Sequence, residues 1–145
     1  MLEAEADPLT SADFERFPRP GEMRRVAAID IGTNSTHLLV AAVDTTLRTF
    51  NIIQAEKSTT RLGERDPDSG ELTAAAMQRG HETLRRFRDL AISHDVEQIV
   101  TAATSAVREA PNGRDFLQQI KEGLGIDVDL VSGSEEARLI YPVSY

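Results

Sequence analysis

Three stretches in the first half of the chain have the apolar content and short spacing of β-strands. They cover residues 25–31, 36–43 and 48–59, and each is separated from the next by only a few residues. Connections this short cannot carry a crossover, so successive strands must pair antiparallel. The pattern predicts an antiparallel meander of three strands.

The second half of the chain alternates between helical and strand patterns. After a polar loop, Thr73 is a candidate N-cap for a long helix, and strands are predicted over residues 97–104 and 126–132. Apolar residues in the helix recur every three to four positions, which indicates a single core-facing stripe. The stripe comprises Ala76, Gly80, Leu84, Phe87 and Ala91.

Two helical segments are predicted between these strands: a short turn at residues 105–110 and a helix over residues 112–125. Asn112 is the predicted N-cap of the helix with Asp115 as its N3 acid, and Gly123 and Gly125 are predicted to end it. Its predicted buried face comprises Phe116, Leu117, Ile120 and Leu124. A last helix is predicted to begin at Ser134.

The order β-β-β-α-β-α-β-α predicts an α/β fold with a mixed five-stranded sheet and flanking helices, because each parallel crossover needs a helix. Residues 1–24 contain three prolines and no sustained period, which predicts an irregular N-terminal arm. Residues 25–145 are then predicted to form one α/β domain, because a chain of 145 residues has a length that suits a single domain.

Composition narrows the class of protein. Hydrophobic residues make up 40% of the chain and charged residues 28%, and no apolar run approaches the roughly 20 residues of a membrane span. The chain contains no Cys, which excludes disulfides, zinc-thiolate sites and thiol catalysis. The first residues show no signal-peptide pattern, so we expect a cytoplasmic protein without a membrane partner.

The net charge of −8 argues against a nucleic-acid partner, because binding to a phosphate backbone depends on clustered Lys and Arg. The acidity itself is consistent with simple solubility. The three histidines have no Cys or paired His nearby, so we interpret them as structural or surface residues rather than metal ligands.

The first group of candidate site residues lies at the turn between the first two strands. Gly32 allows close backbone approach to a ligand, and successive N–H groups with the side chains of Thr33, Asn34 and Ser35 can bind phosphate oxygens. Asp30 can hold a hydrated Mg²⁺. The alternative is an Asx turn whose polar groups only satisfy one another.

The second group covers residues 132–138, where the last predicted strand meets a helix. Ser132 and Glu135 form a capping box, which explains Glu135 structurally. Glu136 is not explained in this way, and a carboxylate on the first turn is well placed to orient or deprotonate water. Two Glu residues at a helix start can also be purely structural.

The third group follows another strand, at residues 104–109. Arg108 suits contact with phosphate, and Arg61, in the loop before the long helix, is its candidate companion. Each of them could equally be a solvated surface charge. All three groups fall at strand ends or in an adjacent turn, where ligands bind in open α/β sheets.

The motifs "AIDIGTNSTHLLV", "RLGE", "ATSAVREAPNGRDFL" and "SGSEEARLIY" occur in this order and at this spacing. Together they closely resemble the exopolyphosphatase/guanosine pentaphosphate phosphohydrolase family of the actin-like ATPase superfamily. The resemblance runs from about Arg25 to Tyr141. It implies a ribonuclease H-like actin-like ATPase domain.

The resemblance also implies functional roles. Residues 30–35 would form a phosphate loop, Arg108 would reach a substrate phosphate, and Glu136 would be the general base that activates water. The implied reaction is Mg²⁺-dependent release of orthophosphate from the end of inorganic polyphosphate, or from guanosine pentaphosphate.

One departure from the family pattern affects these expectations. Family members continue into a second α/β domain with its own glycine-rich phosphate loop, and no such loop occurs in this sequence. We therefore expect the chain to be the N-terminal domain of such a protein, with the C-terminal domains missing. We also expect this domain to be inactive alone. A non-catalytic phosphate-binding or polyphosphate-binding module and a homodimer remain open alternatives. A sugar kinase or another actin-like ATPase should lack the "SGSEEAR" segment.

Overall fold

The computed structural model describes residues 23–131, so most of the predicted N-terminal arm and the whole of the predicted last helix lie outside the described residues. Within these residues there are five strands, β1 (Arg24–Ile31), β2 (Thr36–Asp44), β3 (Thr49–Ser58), β4 (Gln98–Ala103) and β5 (Val128–Leu130). The same described range contains three helices, α1 (Ala74–Ser93), α2 (Ser105–Glu109) and α3 (Gly113–Leu124).

The strands form a single mixed sheet in the order β3-β2-β1-β4-β5. β1 pairs antiparallel with β2, and β2 with β3, as the short connections predict. β4 pairs parallel with both β1 and β5, and the connections into and out of β4 contain helices. The predicted mixed five-stranded sheet with flanking helices is confirmed.

The core lies between the helices and one face of the sheet. Alternation along β1 buries Ala27, Ile29 and Ile31 on this face, which directs Asp30 to the opposite face. Phe87 of α1 and Phe116 of α3 are the two largest fully buried side chains. This alternation is what fixes the register of β1, since a slip of one residue would exchange its two faces.

Helix α1 follows the sequence prediction closely. All five residues of the predicted apolar stripe are buried, together with Thr83. The Thr73 side chain accepts a hydrogen bond from the Ala76 N–H at 3.1 Å, so the predicted N-cap is confirmed. Gly80 packs closely against Phe116 of α3, since a Cβ on Gly80 would lie only 3.0 Å from the Phe116 ring.

Three details of the predicted α3 and β5 are wrong. Asn112 occupies the N-cap position of α3 but makes no capping hydrogen bond, because its amide instead pairs with the backbone N–H and carbonyl of Leu72. Gly123 lies inside the helix, which ends at the left-handed Gly125. β5 is also shorter than predicted, because β4 offers it only three pairing residues before ending at Ala103.

The parallel strands β1, β4 and β5 place their carboxyl ends along one edge of the sheet. Thr104 donates its N–H to the Ile31 carbonyl at 3.2 Å, and Val131 donates to the Ala103 carbonyl at 3.0 Å. The backbone just beyond each strand is therefore joined to the neighbouring strand. We call this the carboxyl edge, and it positions the candidate site.

Candidate functional site

The turn between β1 and β2 lies at the carboxyl edge and is closed by its own backbone. Gly32 donates its N–H to the Ser35 carbonyl at 3.0 Å, and a Cβ on Gly32 would lie only 2.9 Å from that oxygen. Glycine is thus required by close approach within the turn. The predicted hairpin is confirmed, and one of its N–H groups is already used inside the turn.

The tip of this turn faces solvent. Thr33 and Asn34 are exposed, and within residues 23–131 neither of their N–H groups has a hydrogen-bond partner. Asp30 lies two residues before Gly32 and is paired across the sheet with His37 of β2 and Ala102 of β4. The tip therefore offers hydrogen-bond donors beside an exposed carboxylate, which is the chemistry expected of a site for phosphate and a cation.

A second segment, residues 60–64, packs against this turn; we call it the docking loop. Arg61 donates its N–H to the Asn34 carbonyl at 2.9 Å, and Gly63 donates to the Thr33 carbonyl at 2.8 Å. A Cβ on Gly63 would lie 2.5 Å from the Thr33 methyl group, so any larger residue would require the Thr33 side chain to move. The structure thus brings the backbone of Arg61 to the turn between β1 and β2.

Arg61 has a left-handed backbone with φ of 49°, which is sterically disfavoured for a residue with a Cβ. Its carbonyl accepts from the Glu64 N–H at 3.1 Å and from the Arg79 guanidinium at 3.5 Å. Arg79 also donates to the Thr60 carbonyl at 2.9 Å. Contacts from α1 therefore hold a conformation that the chain alone would not favour.

Glu64 connects the docking loop to the start of α1. Its carboxylate accepts from the Thr73 hydroxyl at 3.0 Å and lies 3.4 Å from the Arg79 guanidinium. These two hydrogen bonds, with the positive charges of Arg79 and Arg61, lower the pKa of Glu64 below its ordinary value. The carboxylate is therefore ionised and counterbalances two arginines beside the site.

The start of α2 forms the third part of the site. The Ser105 hydroxyl lies 3.3 Å from the Thr33 hydroxyl, which joins α2 to the turn. Arg65 donates to the Ala106 carbonyl at 2.7 Å and so joins the chain after the docking loop to the same helix. The turn, the docking loop and α2 therefore form one connected unit.

Arg108 lies one residue before the end of α2. Its guanidinium donates to the Val131 carbonyl, and its other terminal nitrogen lies 3.5 Å from the Glu109 carboxylate. Val131 is the last described residue and directly precedes Ser132. Arg108 is thus held where the chain leaves β5.

Glu136 and the rest of the predicted group at residues 132–138 lie outside the described residues. Among residues 23–131, no group of three or more His, Cys, Asp and Glu side chains is arranged to hold a metal ion. The described helices also include none that is long and apolar enough to cross a membrane.

Two residues that support the site, Glu64 and Arg79, are not among the candidates predicted from the sequence, and Ser105 is included only within the group at residues 104–109. Glu64 occurs in the motif "RLGE" without a predicted role. The signal for Glu64 was its place before the Thr73 cap, which offers a hydroxyl to a carboxylate. No local pattern distinguishes Arg79 from the other arginines of α1, because its partners lie 15 to 19 positions earlier in the chain.

Comparisons with known proteins agree with this architecture. The model of the Ppx/GppA phosphatase family matches residues 39–143. Proteins described as exopolyphosphatase 1 from Mycobacterium bovis and Mycobacterium tuberculosis are each 31% identical over 117 residues. That match covers 81% of this chain and 34% of the relative, so the chain spans about a third of the length of these curated relatives.

Solved structures give the same result. A Ppx/GppA family member from Aquifex aeolicus superposes with a TM-score of 0.76 at 29% identity, covering 82% of this chain and 38% of that one. An exopolyphosphatase from Cytophaga hutchinsonii gives 0.75 at 36% identity, covering 81% and 37%. The predicted actin-like ATPase fold class is thereby confirmed. The chain belongs to the Ppx/GppA phosphatase family.

Proposed function

We propose that this chain binds the terminal phosphates of inorganic polyphosphate at the carboxyl edge and takes part in releasing orthophosphate from them. The observation that carries the proposal is the junction of three elements that contain the candidate phosphate-binding residues: the turn at residues 32–35, the docking loop and α2. Membership of the Ppx/GppA family and the exopolyphosphatase name of its relatives support it.

In this proposal the turn and the two arginines share the phosphate charge. The N–H groups of Thr33 and Asn34, with the side chains of Thr33, Asn34 and Ser35, donate to phosphate oxygens. Arg61 and Arg108 supply positive charge. Donors fixed in this way stabilise the charge that develops on the phosphoryl oxygens in the transition state.

Asp30 is the proposed ligand of Mg²⁺. A single exposed carboxylate does not make a complete protein cage, but it fits Mg²⁺, which keeps several waters and is completed by substrate phosphates. When bound, the cation would neutralise part of the negative charge of the phosphates.

Glu136 is the proposed general base. It would take a proton from a water molecule whose oxygen attacks the terminal phosphorus, while the bond from phosphorus to the bridging oxygen breaks. The products are orthophosphate and a polyphosphate shorter by one phosphate. Guanosine pentaphosphate presents the same kind of anhydride and is the other substrate that we propose to test.

Orthophosphate release with Mg²⁺ tests the proposal. The chain alone is compared with a chimera in which it replaces the matching 37% of the Cytophaga hutchinsonii exopolyphosphatase, because we propose that a second α/β domain completes the site. We expect release from the chimera and none from the chain alone. If the chimera folds but hydrolyses neither substrate, the proposed activity is wrong.

Two substitutions in the chimera test the roles. Glu136→Gln should lower turnover by about 10²- to 10⁴-fold with little change in affinity, as expected for a positioned base. Arg108→Ala should weaken affinity and turnover together. An unchanged rate for either variant would remove that residue from the mechanism.

A second candidate function is phosphate or polyphosphate binding without catalysis. It is favoured by the exposed tip of the turn, where the N–H groups of Thr33 and Asn34 have no hydrogen-bond partner within residues 23–131. Calorimetric titration of the chain with tripolyphosphate, beside the release assay, separates the two candidates. Binding by the chain without hydrolysis by the chimera would select the binding function.

A further inference from the structure

Arg79 reaches from α1 into the docking loop and contacts three groups there. It donates to the carbonyls of Thr60 and Arg61 and lies 3.4 Å from the Glu64 carboxylate. Its side chain is about one-third exposed, so these contacts form at the protein surface but are partly shielded from water. A planar guanidinium with several donors suits this set of acceptors better than the single ammonium of Lys.

The contacts converge on one residue of the proposed phosphate site. The Arg61 N–H is bound by Asn34 and its carbonyl by Arg79 and Glu64, so both peptide groups that flank its Cα are fixed. With φ at 49°, the backbone of Arg61 would relax to an ordinary conformation if these contacts were lost. Relaxation would redirect the side chain, because its direction follows from the backbone at Cα.

We propose that Arg79 is a positioning residue for phosphate binding, which holds the docking loop so that Arg61 faces the turn at residues 32–35. The inference rests on the proposed function, since it assigns Arg79 a part in the same site. Arg79 does not itself contact that turn in the structure; its contacts are with the docking loop. Its effect on affinity is therefore exerted through Arg61.

The test uses the chain as it stands and two independent readouts. Amide hydrogen exchange, followed by NMR without ligand, reports on the N–H groups of Arg61 and Gly63, and calorimetry reports the affinity for inorganic tripolyphosphate with Mg²⁺. The variants are Arg79→Met, which keeps the aliphatic stem, and Arg79→Lys, the conservative change. Arg85→Met is the matched control, an exposed arginine of the same helix whose loss removes the same charge.

In Arg79→Met we expect exchange at Arg61 and Gly63 to be about tenfold faster, the scale for losing a hydrogen bond to a charged group, and tripolyphosphate affinity to fall about tenfold. Arg79→Lys should recover part of both effects, and Arg85→Met should match the parent. Thermal unfolding of each variant establishes that it is folded.

Several results would overturn the inference. Unchanged exchange in Arg79→Met would show that the guanidinium does not hold the loop. Faster exchange with parental affinity would show that the order of the loop does not matter for binding. An equal loss of affinity in Arg85→Met would show a general effect of charge. If the parent chain does not bind tripolyphosphate, affinity is measured in the chimera instead; the proposed function fails if the chimera does not bind it either, and the exchange data then decide alone whether Arg79 holds the loop.

Discussion

Replacing Gly113 with Ala tests the packing between α3 and α2, the helix that carries Arg108. A Cβ on Gly113 would lie 1.9 Å from the Val107 carbonyl oxygen and 3.0 Å from its carbonyl carbon. Favourable contact begins at about 3.5 Å, so the two groups would have to separate by about 1.6 Å. The obstacle is backbone, which cannot rotate away as a flexible side chain can.

The cost follows from the size of this overlap. Inserting one methyl group into a well-packed core costs about 1–3 kcal/mol, and the upper end applies where backbone must move. We therefore expect Gly113→Ala to lower the free energy of unfolding by about 3 kcal/mol. For a domain near 150 residues this corresponds to a fall in Tm of about 10 °C.

Urea unfolding followed by circular dichroism measures this change as a lower midpoint at a constant slope. Gly123→Ala is the matched control, because it lies in the same helix and its Cβ would meet only the end of the His81 side chain at 3.3 Å. There the better helix propensity of Ala should add about 0.5–1 kcal/mol. If Gly113→Ala unfolds at the parental midpoint, the reasoning from the close Val107 contact is wrong.

Three further predictions concern contacts around the docking loop. Thr73→Ala should lower the free energy of unfolding by about 1 kcal/mol through loss of the N-cap, and a parental urea midpoint would contradict this. Asn112→Ala should cost about 2 kcal/mol in the same assay, because it leaves the N–H and carbonyl of Leu72 without their side-chain partner. Because the pKa of Glu64 is lower in the folded state, its ionised carboxylate stabilises the folded protein. This contribution to the free energy of unfolding is complete above the unfolded-state pKa of about 4.3, and it is lost as the pH falls through the lower folded-state pKa. The difference in urea midpoint between the parent and Glu64→Gln should therefore be largest near pH 6 and shrink toward pH 3; a constant difference would be inconsistent with it.

The sequence predicted those parts of the fold that depend on local periodicity. The stripe on α1 and the alternation of β1 follow from burial of one face, which the order of residues encodes directly. The role of Asn112 could not be predicted in this way, because a cap and a bridge to Leu72 use the same amide and only tertiary packing decides between them. The length of β5 likewise depends on where β4 ends.

The same distinction applies to the site. Its polar residues are visible as motifs, whereas the contact between the Arg61 backbone and the turn at residues 32–35 is seen only in the structure. The left-handed conformation of Arg61 was not visible, since the residue is not glycine and no neighbour signals a positive φ. This conformation is held by two donors to the Arg61 carbonyl: the Arg79 guanidinium, which comes from α1, and the Glu64 N–H, which lies three residues farther along the docking loop.

The docking loop also determines where the backbone donors of the turn at residues 32–35 point. In a trans peptide the carbonyl and the following N–H lie in one plane and point in opposite directions. Because Gly63 binds the Thr33 carbonyl, the N–H of Asn34 points away from the docking loop; because Arg61 binds the Asn34 carbonyl, so does the N–H of Ser35. Of the two N–H groups proposed to bind phosphate, the docking loop therefore orients that of Asn34, whereas that of Thr33 belongs to the peptide group after Gly32. A change that loosens this loop should therefore weaken the proposed phosphate binding even where every side chain proposed to bind phosphate is kept.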